Sequence, residues 1–368
     1  MLLLNPGPVN LSDRVRRAML GPDLCHREAE FTGLQARIRA GLLRIYDLDP
    51  GRWSAVLLTG SGTAAVEAMV TSLVPPDSRL LVIENGVYGE RMARIAEIHG
   101  IPIHRASHEW GAEVDVARAK SILDGDVRIG LVAVAHHETT TGRLNDLEVI
   151  GRECRRRGVG LLVDGISSFG AELIRFEDWG VAACAGVANK CLHAVPGVSF
   201  VLVRRDRMPA DGAAARTLYL DLATHHREQD QGGTPFTQSV QCLYALEAAL
   251  EELCDAGGWP ARHERYARLA TQVRERLMSL GIRPVLPEGA SSCVLNAYRL
   301  PKGVSYESFH DGLKERGFVI YAGQGGLAGG MFRISTMGAV GDRDIARFLA
   351  AVESLLEAHR SVRVSAER

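Results

Sequence analysis

The chain has 368 residues, of which 46% are hydrophobic and 24% charged, and its formal net charge is −1. This composition is typical of a soluble globular protein, and the length favours two domains. A net charge so close to zero excludes the broad positive field that binds nucleic acid or an acidic membrane. Neither nucleic acid nor membrane is therefore expected as a partner.

The cysteines and the N-terminus indicate the cellular compartment. The seven cysteines are scattered, odd in number and without a C-x-x-C pair, which argues against a disulfide framework or a zinc knuckle. The first residues lack the basic segment and the long apolar run of a signal peptide. We therefore expect a cytoplasmic protein.

Through the middle of the chain, short apolar runs alternate with amphipathic stretches. Strands are predicted at 55–58, 80–83, 129–135, 160–163 and 198–203, and helices at 63–73, 89–99 and 147–157. Runs of Val, Ile and Leu without polar alternation are typical of strands covered on both faces. Strands that alternate with helices predict an α/β domain with a mostly parallel sheet.

The pattern changes after about residue 237. Long helices are predicted at 239–254 and 260–280, followed by strands at 293–298, 318–320 and 331–334 and helices at 305–316 and 342–359. This order predicts a smaller α+β domain, and the Gly-Gly-Trp-Pro run at 257–260 predicts a joint before it. We expect an N-terminal arm at 1–20, a large domain at 21–255 and a small C-terminal domain at 256–368.

A Gly-Ser-Gly-Thr turn at 60–63 joins a predicted strand to a predicted helix. Free N–H groups and the helix dipole at such a junction favour a phosphate, and Ser61, Gly62 and Thr63 are candidates to hold it. No Gly-Lys follows, so the turn is not a Walker loop. The alternative is an ordinary tight turn with a helix N-cap.

Asp164 ends the predicted strand at 160–163 and precedes a loop of small and polar residues. Ligands of open α/β sheets bind at the carboxyl ends of the strands, where an aspartate can pair with a protonated ring nitrogen or a metal. The alternative is a cap on the following segment, which is common for an aspartate after a strand.

Lys190 lies among small and apolar residues, with no acidic residue within ten positions on either side. Lysine is rarely placed in dry surroundings without a partner. Desolvation favours the neutral amine, which is the form that reacts with an aldehyde. The alternative is a lysine at a strand end whose ammonium group reaches solvent.

These three features in this order match the needs of one cofactor, pyridoxal 5′-phosphate (PLP). PLP needs a phosphate cradle, a carboxylate for its ring nitrogen and a lysine for its aldehyde. We therefore expect Lys190 and Asp164 to be catalytic.

Several longer motifs carry a resemblance that covers nearly the whole chain. They are Asn-Pro-Gly-Pro at 5–8, Cys-His-Arg-Glu-Ala-Glu-Phe at 25–31, Gly-Ser-Gly-Thr at 60–63, Asn-Gly-Val-Tyr-Gly-Glu-Arg-Met at 85–92, His-His-Glu-Thr-Thr-Thr-Gly at 136–142, Asp-Gly-Ile-Ser-Ser-Phe-Gly at 164–170, Ala-Asn-Lys-Cys at 188–191, Pro-Phe-Thr at 235–237 and Phe-Arg-Ile at 332–334. Together they resemble the class V aminotransferases, which have PLP-dependent transferase fold type I. The runs at 138–142, 167–170 and 189–191 are most similar to the branch that acts on an aminophosphonate.

The resemblance implies that the amine of 2-aminoethylphosphonate moves to pyruvate, in a homodimer with sites at the interface. Tyr88 would stack on the cofactor ring and Thr140 would lie near the ring hydroxyl. Thr237 would reach the phosphate of the partner's cofactor. Arg333, with Arg27 as a second candidate, would grip the acid group of the substrate through two parallel hydrogen bonds.

Other functions remain open. One is a class V aminotransferase that uses alanine or serine with glyoxylate, or another amine donor. A PLP lyase or desulfurase would need a cysteine in a flexible loop, and none of the seven has that setting. A non-catalytic protein with this fold would not need Lys190 and Asp164. The pairs His136-His137 and His225-His226 do not predict a metal site, because neighbours on a strand point to opposite faces.

Overall fold

A computed structural model describes residues 1–210 and 215–366, with side chains up to residue 359. The strands are β1 (Leu2–Leu3), β2 (Trp53–Gly60), β3 (Arg79–Glu84), β4 (Ile103–Ser107), β5 (Ile129–Ala135), β6 (His137–Glu138), β7 (Arg143–Leu144), β8 (Gly160–Asp164), β9 (Val181–Val187), β10 (Gly197–Arg204), β11 (Leu295–Arg299), β12 (Phe318–Val319), β13 (Tyr321–Ala322) and β14 (Met331–Ser335). The α-helices are α1 (Asp13–Ala18), α2 (Ala29–Arg44), α3 (Gly62–Leu73), α4 (Val87–Ile98), α5 (Val116–Gly125), α6 (Leu147–Arg156), α7 (Leu222–Asp230), α8 (Val240–Asp255), α9 (Gly258–Ser279), α10 (Tyr306–Glu315) and α11 (Asp342–Ala366).

The central sheet has seven strands in the order β2-β10-β9-β8-β5-β3-β4. Strand β10 runs antiparallel to both of its neighbours, and the other neighbouring pairs are parallel. The expected α/β fold with a mostly parallel sheet is confirmed. Because parallel strands end at the same edge, β3, β5 and β8 deliver the residues after them to one side of the sheet.

Successive residues of each central strand face two different cores. Leu57 packs in one core with residues of α2 and α8, while its neighbours Val56 and Leu58 pack in the other with residues of α3 and α4. This alternation follows from the period of two in a strand. Both faces are therefore apolar, as the uninterrupted hydrophobic runs predict.

The C-terminal region forms a separate antiparallel sheet in the order β11-β14-β13. Helix α8 ends at Asp255 and α9 begins at Gly258, so the predicted joint is a two-residue turn. Residues from α9, α10, α11 and the strands share a third apolar core, to which the N-terminal Leu4 contributes. The domain boundaries at residues 20 and 255 stay predictions.

Several elements differ from the predictions. Strand β12 pairs in parallel with β1 at the N-terminus and is not part of the small antiparallel sheet. Strands β4 and β9 were not predicted, and α11 continues seven residues past the predicted end to Ala366. Among the described residues, no helix combines the length and the apolar character needed to cross a membrane.

Candidate active site

A cavity of about 450 Å³ opens at the carboxyl edge of the central sheet. Six residues predicted for the site line it, namely Ser61, Gly62, Thr63, Tyr88, Asp164 and Lys190. Small-molecule sites usually measure roughly 300–1,000 Å³ and lie at this edge of α/β sheets. The fold therefore brings together residues that lie up to 129 positions apart in sequence.

The turn at 60–63 presents the start of α3 to this cavity. Ser61 is the N-cap residue with extended backbone angles, yet its side chain makes no capping hydrogen bond. The N–H groups of Gly62 and Thr63 and the hydroxyl of Ser61 thus remain available to an anion. The hydroxyl of Thr63 accepts a hydrogen bond from Nη1 of Arg91 at 3.3 Å and can still donate its own proton. This geometry favours a phosphate cradle over a conventional side-chain cap.

Asp164 is the last residue of β8 and its side chain is buried. Its carboxylate accepts a hydrogen bond from the backbone N–H of Ile166 at 3.0 Å. Burial raises the pKa of Asp164 to about 6, although this hydrogen bond and the charges of Arg91 and Lys190 act in the opposite direction. A cationic ring nitrogen facing Asp164 would favour the ionised carboxylate.

The side chain of Lys190 reaches back to the N-terminal arm, where its Nζ donates a hydrogen bond to the carbonyl of Pro6. Burial lowers the pKa of Lys190 to about 8, which makes the neutral amine accessible near neutral pH. The arm approaches closely because residue 7 is glycine: its φ is +116°, and a Cβ there would lie 2.9 Å from Cδ of Lys190.

Tyr88 is held by the last residue of β6. Glu138, which is fully buried, accepts hydrogen bonds from the backbone N–H groups of Tyr88 at 3.0 Å and Gly89 at 3.3 Å. Residue 86 allows this approach, since a Cβ at Gly86 would lie 2.3 Å from Cδ of Glu138. Burial raises the pKa of Glu138 to about 6. No local sequence pattern assigns this role to Glu138, because only the fold brings it to the start of α4.

Thr140 does not line the cavity. Its hydroxyl donates to Glu138 at 2.5 Å and accepts from the backbone N–H of Val87 at 3.0 Å. These contacts connect Thr140 to Glu138 and to the start of α4. The expected contact of Thr140 with a ring hydroxyl stays a prediction.

Arg333 lies on β14 and is only 1% exposed, so it is not a surface arginine on a strand. Its Nε donates to the carbonyl of Ala322 at 2.8 Å and its Nη1 to the carbonyl of Thr139 at 3.0 Å. Burial lowers the pKa of this guanidinium. Both of these hydrogen bonds go to uncharged carbonyl oxygens, and the guanidinium carbon also lies 5.5 Å from the centre of the Tyr321 ring.

Like Thr140, the predicted residues Arg333, Arg27 and Thr237 are not part of the lining of the cavity. Arg27, before α2, and Thr237, before α8, are both exposed and neither lines the cavity. Their roles in binding the substrate and the partner's phosphate stay predictions. Arg91, which belongs to the motif at 85–92, does line the cavity.

The paired histidines have separate partners. Nδ1 of His136 contacts the hydroxyl of Ser168 at 3.0 Å, whereas Nδ1 of His137 contacts the carbonyl of Ser167 at 2.9 Å. Three other side chains bring atoms of the type that bind metals within 4.8 Å of one another; they belong to Glu172, His263 and Cys293. No sequence motif joins these three residues, which the fold alone assembles.

The family model for aminotransferase class-V matches residues 25–348. The chain therefore belongs to the class V aminotransferase family and is a transaminase. A protein from Phocaeicola vulgatus named 2-aminoethylphosphonate–pyruvate transaminase is 34% identical over 358 residues, covering 96% of this chain and 98% of the relative. One of the same name from Aeromonas hydrophila is 37% identical over 363 residues, covering 96% of this chain and 94% of the relative.

The fold comparison agrees with the family. The solved structure of an aspartate aminotransferase of subgroup IV from Thermus thermophilus matches with a TM-score of 0.87 at 29% identity. The match covers 97% of this chain and 99% of that one. Family and fold imply PLP, and the cavity offers the cradle, the buried carboxylate and the lysine that this group requires.

Proposed function

We propose that this chain transfers the amino group of 2-aminoethylphosphonate to pyruvate with PLP as cofactor, giving phosphonoacetaldehyde and alanine. The observation that carries the cofactor assignment is the meeting of Ser61–Thr63, Asp164 and Lys190 in one cavity. The full-length similarity to relatives of that name supports the substrates.

When bound, PLP supplies an electron sink for the carbon that carries the substrate's amine. Asp164 keeps the ring nitrogen protonated, and Tyr88 packs against the ring face. Lys190 would hold the cofactor through its aldehyde until the substrate amine takes its place. The freed amine of Lys190 would then act as the base that removes the proton from the substrate's amine-bearing carbon, a role that a pKa near 8 suits.

The donor lacks a carboxylate on its reacting carbon, so the enzyme must locate it by the phosphonate alone. Arg333 is the residue we assign to this contact, with Arg27 as a second candidate. A guanidinium can bind phosphonate and carboxylate through two parallel hydrogen bonds. The same Arg333 would therefore bind pyruvate in the second half-reaction.

We also propose a homodimer that acts in the cytoplasm. Thr237 is exposed and outside the cavity of its own chain, which is the position expected of a residue that reaches a partner's cofactor. The seven free cysteines support a reducing compartment. An active monomer, measured by sedimentation at assay concentration, would exclude the dimeric site.

The test is a screen of single half-reactions. The PLP-loaded enzyme is mixed without acceptor with 2-aminoethylphosphonate, L-alanine or L-serine at equal concentration, and the loss of the cofactor's absorbance band is followed. We expect the fastest loss with 2-aminoethylphosphonate and restoration by pyruvate, with Lys190→Ala as the blank. Faster conversion by alanine or serine, and restoration by glyoxylate, would assign the chain to another class V activity.

A further inference from the structure

Arg91 occupies a position between the phosphate cradle and the ring-facing tyrosine. Its Nη1 donates a hydrogen bond to the hydroxyl of Thr63 at 3.3 Å. Its guanidinium carbon lies 4.8 Å from the centre of the Tyr88 ring, one turn away on the same helix. Arg91 is half-buried and lines the cavity, so the two contacts fix a cation beside the start of α3.

The other charged side chains of the cavity indicate which group the guanidinium of Arg91 can bind. The lining side chains that carry charge are Asp164, Lys190 and Arg91. Under the proposed function, Asp164 faces the ring nitrogen and Lys190 reacts with the aldehyde. A phosphate dianion at Ser61–Thr63 would then have helix N–H groups and hydroxyls as partners, and Arg91 is the lining cation left to balance its charge.

We propose that Arg91 binds the phosphate monoester of the cofactor and supplies the main positive side chain for that group. This inference rests on the proposed function, because it presupposes PLP in the cavity. The hydroxyl of Thr63 and the guanidinium of Arg91 would contact the phosphate together. A guanidinium suits a phosphate because two of its N–H groups can bind two oxygens at once.

The phosphonate of the substrate is also an oxyanion that a guanidinium can bind, so it is the alternative ligand for Arg91. The contact with Thr63 favours the cofactor, because Thr63 is the first-turn residue of the helix that would hold the phosphate. Arg333 does not line this cavity, and its guanidinium donates hydrogen bonds to the carbonyls of Ala322 and Thr139. We therefore assign the cofactor's phosphate to Arg91 and the substrate's acid group to Arg333.

The test compares PLP with pyridoxal, which has the same ring and aldehyde but no phosphate. Dissociation constants of both are measured on the apoprotein of the wild type, Arg91→Gln and Arg91→Lys. Arg91→Gln should weaken PLP at least about tenfold, as expected for a lost charge-assisted hydrogen bond, and leave pyridoxal within about twofold of the wild type on the same scale. Arg91→Lys should fall between the wild type and Arg91→Gln, because it keeps charge but loses the two-point contact.

Arg94→Gln is the matched control, because Arg94 lies one turn further along α4, is exposed and pairs with Glu97. It should change neither constant. Pyridoxal binding also reports whether Arg91→Gln is folded, independently of the phosphate. If the ratio of the two dissociation constants is the same in Arg91→Gln and the wild type, the inference is wrong.

Steady-state kinetics at saturating PLP separate the two sources of the anion. With the cofactor as the source, the KM for 2-aminoethylphosphonate should be unchanged in Arg91→Gln. A raised KM for that donor with an unchanged ratio of PLP to pyridoxal affinity would assign Arg91 to the substrate and overturn the inference. Failure of the wild-type apoprotein to bind PLP would instead refute the proposed function itself.

Discussion

The carboxylate of Glu138 accepts a hydrogen bond from the backbone N–H of Tyr88 across 3.0 Å. The next residue, Thr139, contacts Arg333, because its carbonyl accepts a hydrogen bond from Nη1 of Arg333 at 3.0 Å. The buried end of β6 and the residue after it therefore contact both the residue proposed to face the ring and the residue proposed to bind the acid.

Replacing Glu138 should destabilise the protein and disturb the ring site together. Glu138→Ala leaves buried N–H groups of Tyr88, Gly89 and Thr140 without an acceptor, which we expect to cost about 2–4 kcal/mol. Urea unfolding measures this, and the circular dichroism of bound cofactor reports the placement of Tyr88. Glu97→Ala on the exposed side of α4 is the control, with an expected loss below about 1 kcal/mol. Equal losses for the two variants would contradict this role of Glu138.

Borohydride reduction of the loaded enzyme should fix the cofactor on Lys190. The reason is burial, which lowers the pKa of this amine to about 8 and makes it nucleophilic. Peptide mapping by mass spectrometry locates the label. Label on Lys120, Lys302 or Lys314 would refute the central assignment of the site.

Asp164→Asn should keep the fold and most of the cofactor affinity while losing most of the turnover. The amide can still accept the N–H of Ile166, but it cannot hold a proton on the ring nitrogen, so the electron sink weakens. We expect a fall in kcat of at least about a hundredfold, in the range of acid–base effects. Near wild-type turnover would show that Asp164 only shapes the loop after β8.

Arg333→Lys should impair both half-reactions. Lysine keeps a charge but loses the planar fork, and it cannot bond the carbonyls of Ala322 and Thr139 in the same way. We expect kcat/KM for both 2-aminoethylphosphonate and pyruvate to fall at least about tenfold. Loss confined to one substrate would mean that a different cation, such as Arg27, serves the other.

Glu172 should make stability depend on acid pH. It is buried, yet it accepts hydrogen bonds from Ser292 at 2.5 Å and the N–H of Cys293 at 3.0 Å and pairs with His263 at 3.2 Å. Burial alone would raise its pKa, but these partners lower the pKa to about 2 from an ordinary 4.5. A carboxyl with a lowered pKa contributes stability that is complete above the unfolded value and is lost as pH falls toward the folded value.

The loss for Glu172 should therefore occur between pH 4.5 and about 2 and amount to about 3 kcal/mol. Urea unfolding at pH 7, 4.5 and 3 measures it. Glu172→Gln should be less stable at pH 7 and vary less across this range. The exposed Glu148→Gln should behave as the wild type, and a wild-type pH dependence in Glu172→Gln would exclude this residue as the cause.

The sequence correctly predicted the strands and helices whose residue types are typical of the structure that they form. The apolar run of β5 and the helix after Gly62 were placed within a residue of their observed bounds. Strand β9 was missed because Val-Ala-Ala-Cys-Ala-Gly-Val has little of the bulk that marks a strand, and its pairing with β8 and β10 decides its conformation. Strand β4 lies at the sheet edge and carries polar residues.

The residues of the candidate site also fall into two groups: those that a local sequence pattern predicts and those that only the fold reveals. Asp164, Lys190 and the turn at 60–63 could be recognised because each carries a local pattern, and the fold places all three in one cavity. Glu138 and Arg91 could not be assigned roles, because their partners lie 49 and 28 residues away in the chain. Such contacts depend on tertiary packing, which no local pattern encodes.

The docking of the N-terminal arm has a consequence for synthesis on the ribosome. The first strand, Leu2–Leu3, pairs with Phe318 and Val319, and Asn10 pairs with Gly338. The arm is therefore made at least 316 residues before the partners that hold it, and synthesis proceeds at on the order of 5–20 residues per second. Until those partners are made, the carbonyl of Pro6 lacks the strand pairing that holds the arm in place next to Lys190. Lys190 therefore gains this cover only after residues 318–338 have been made.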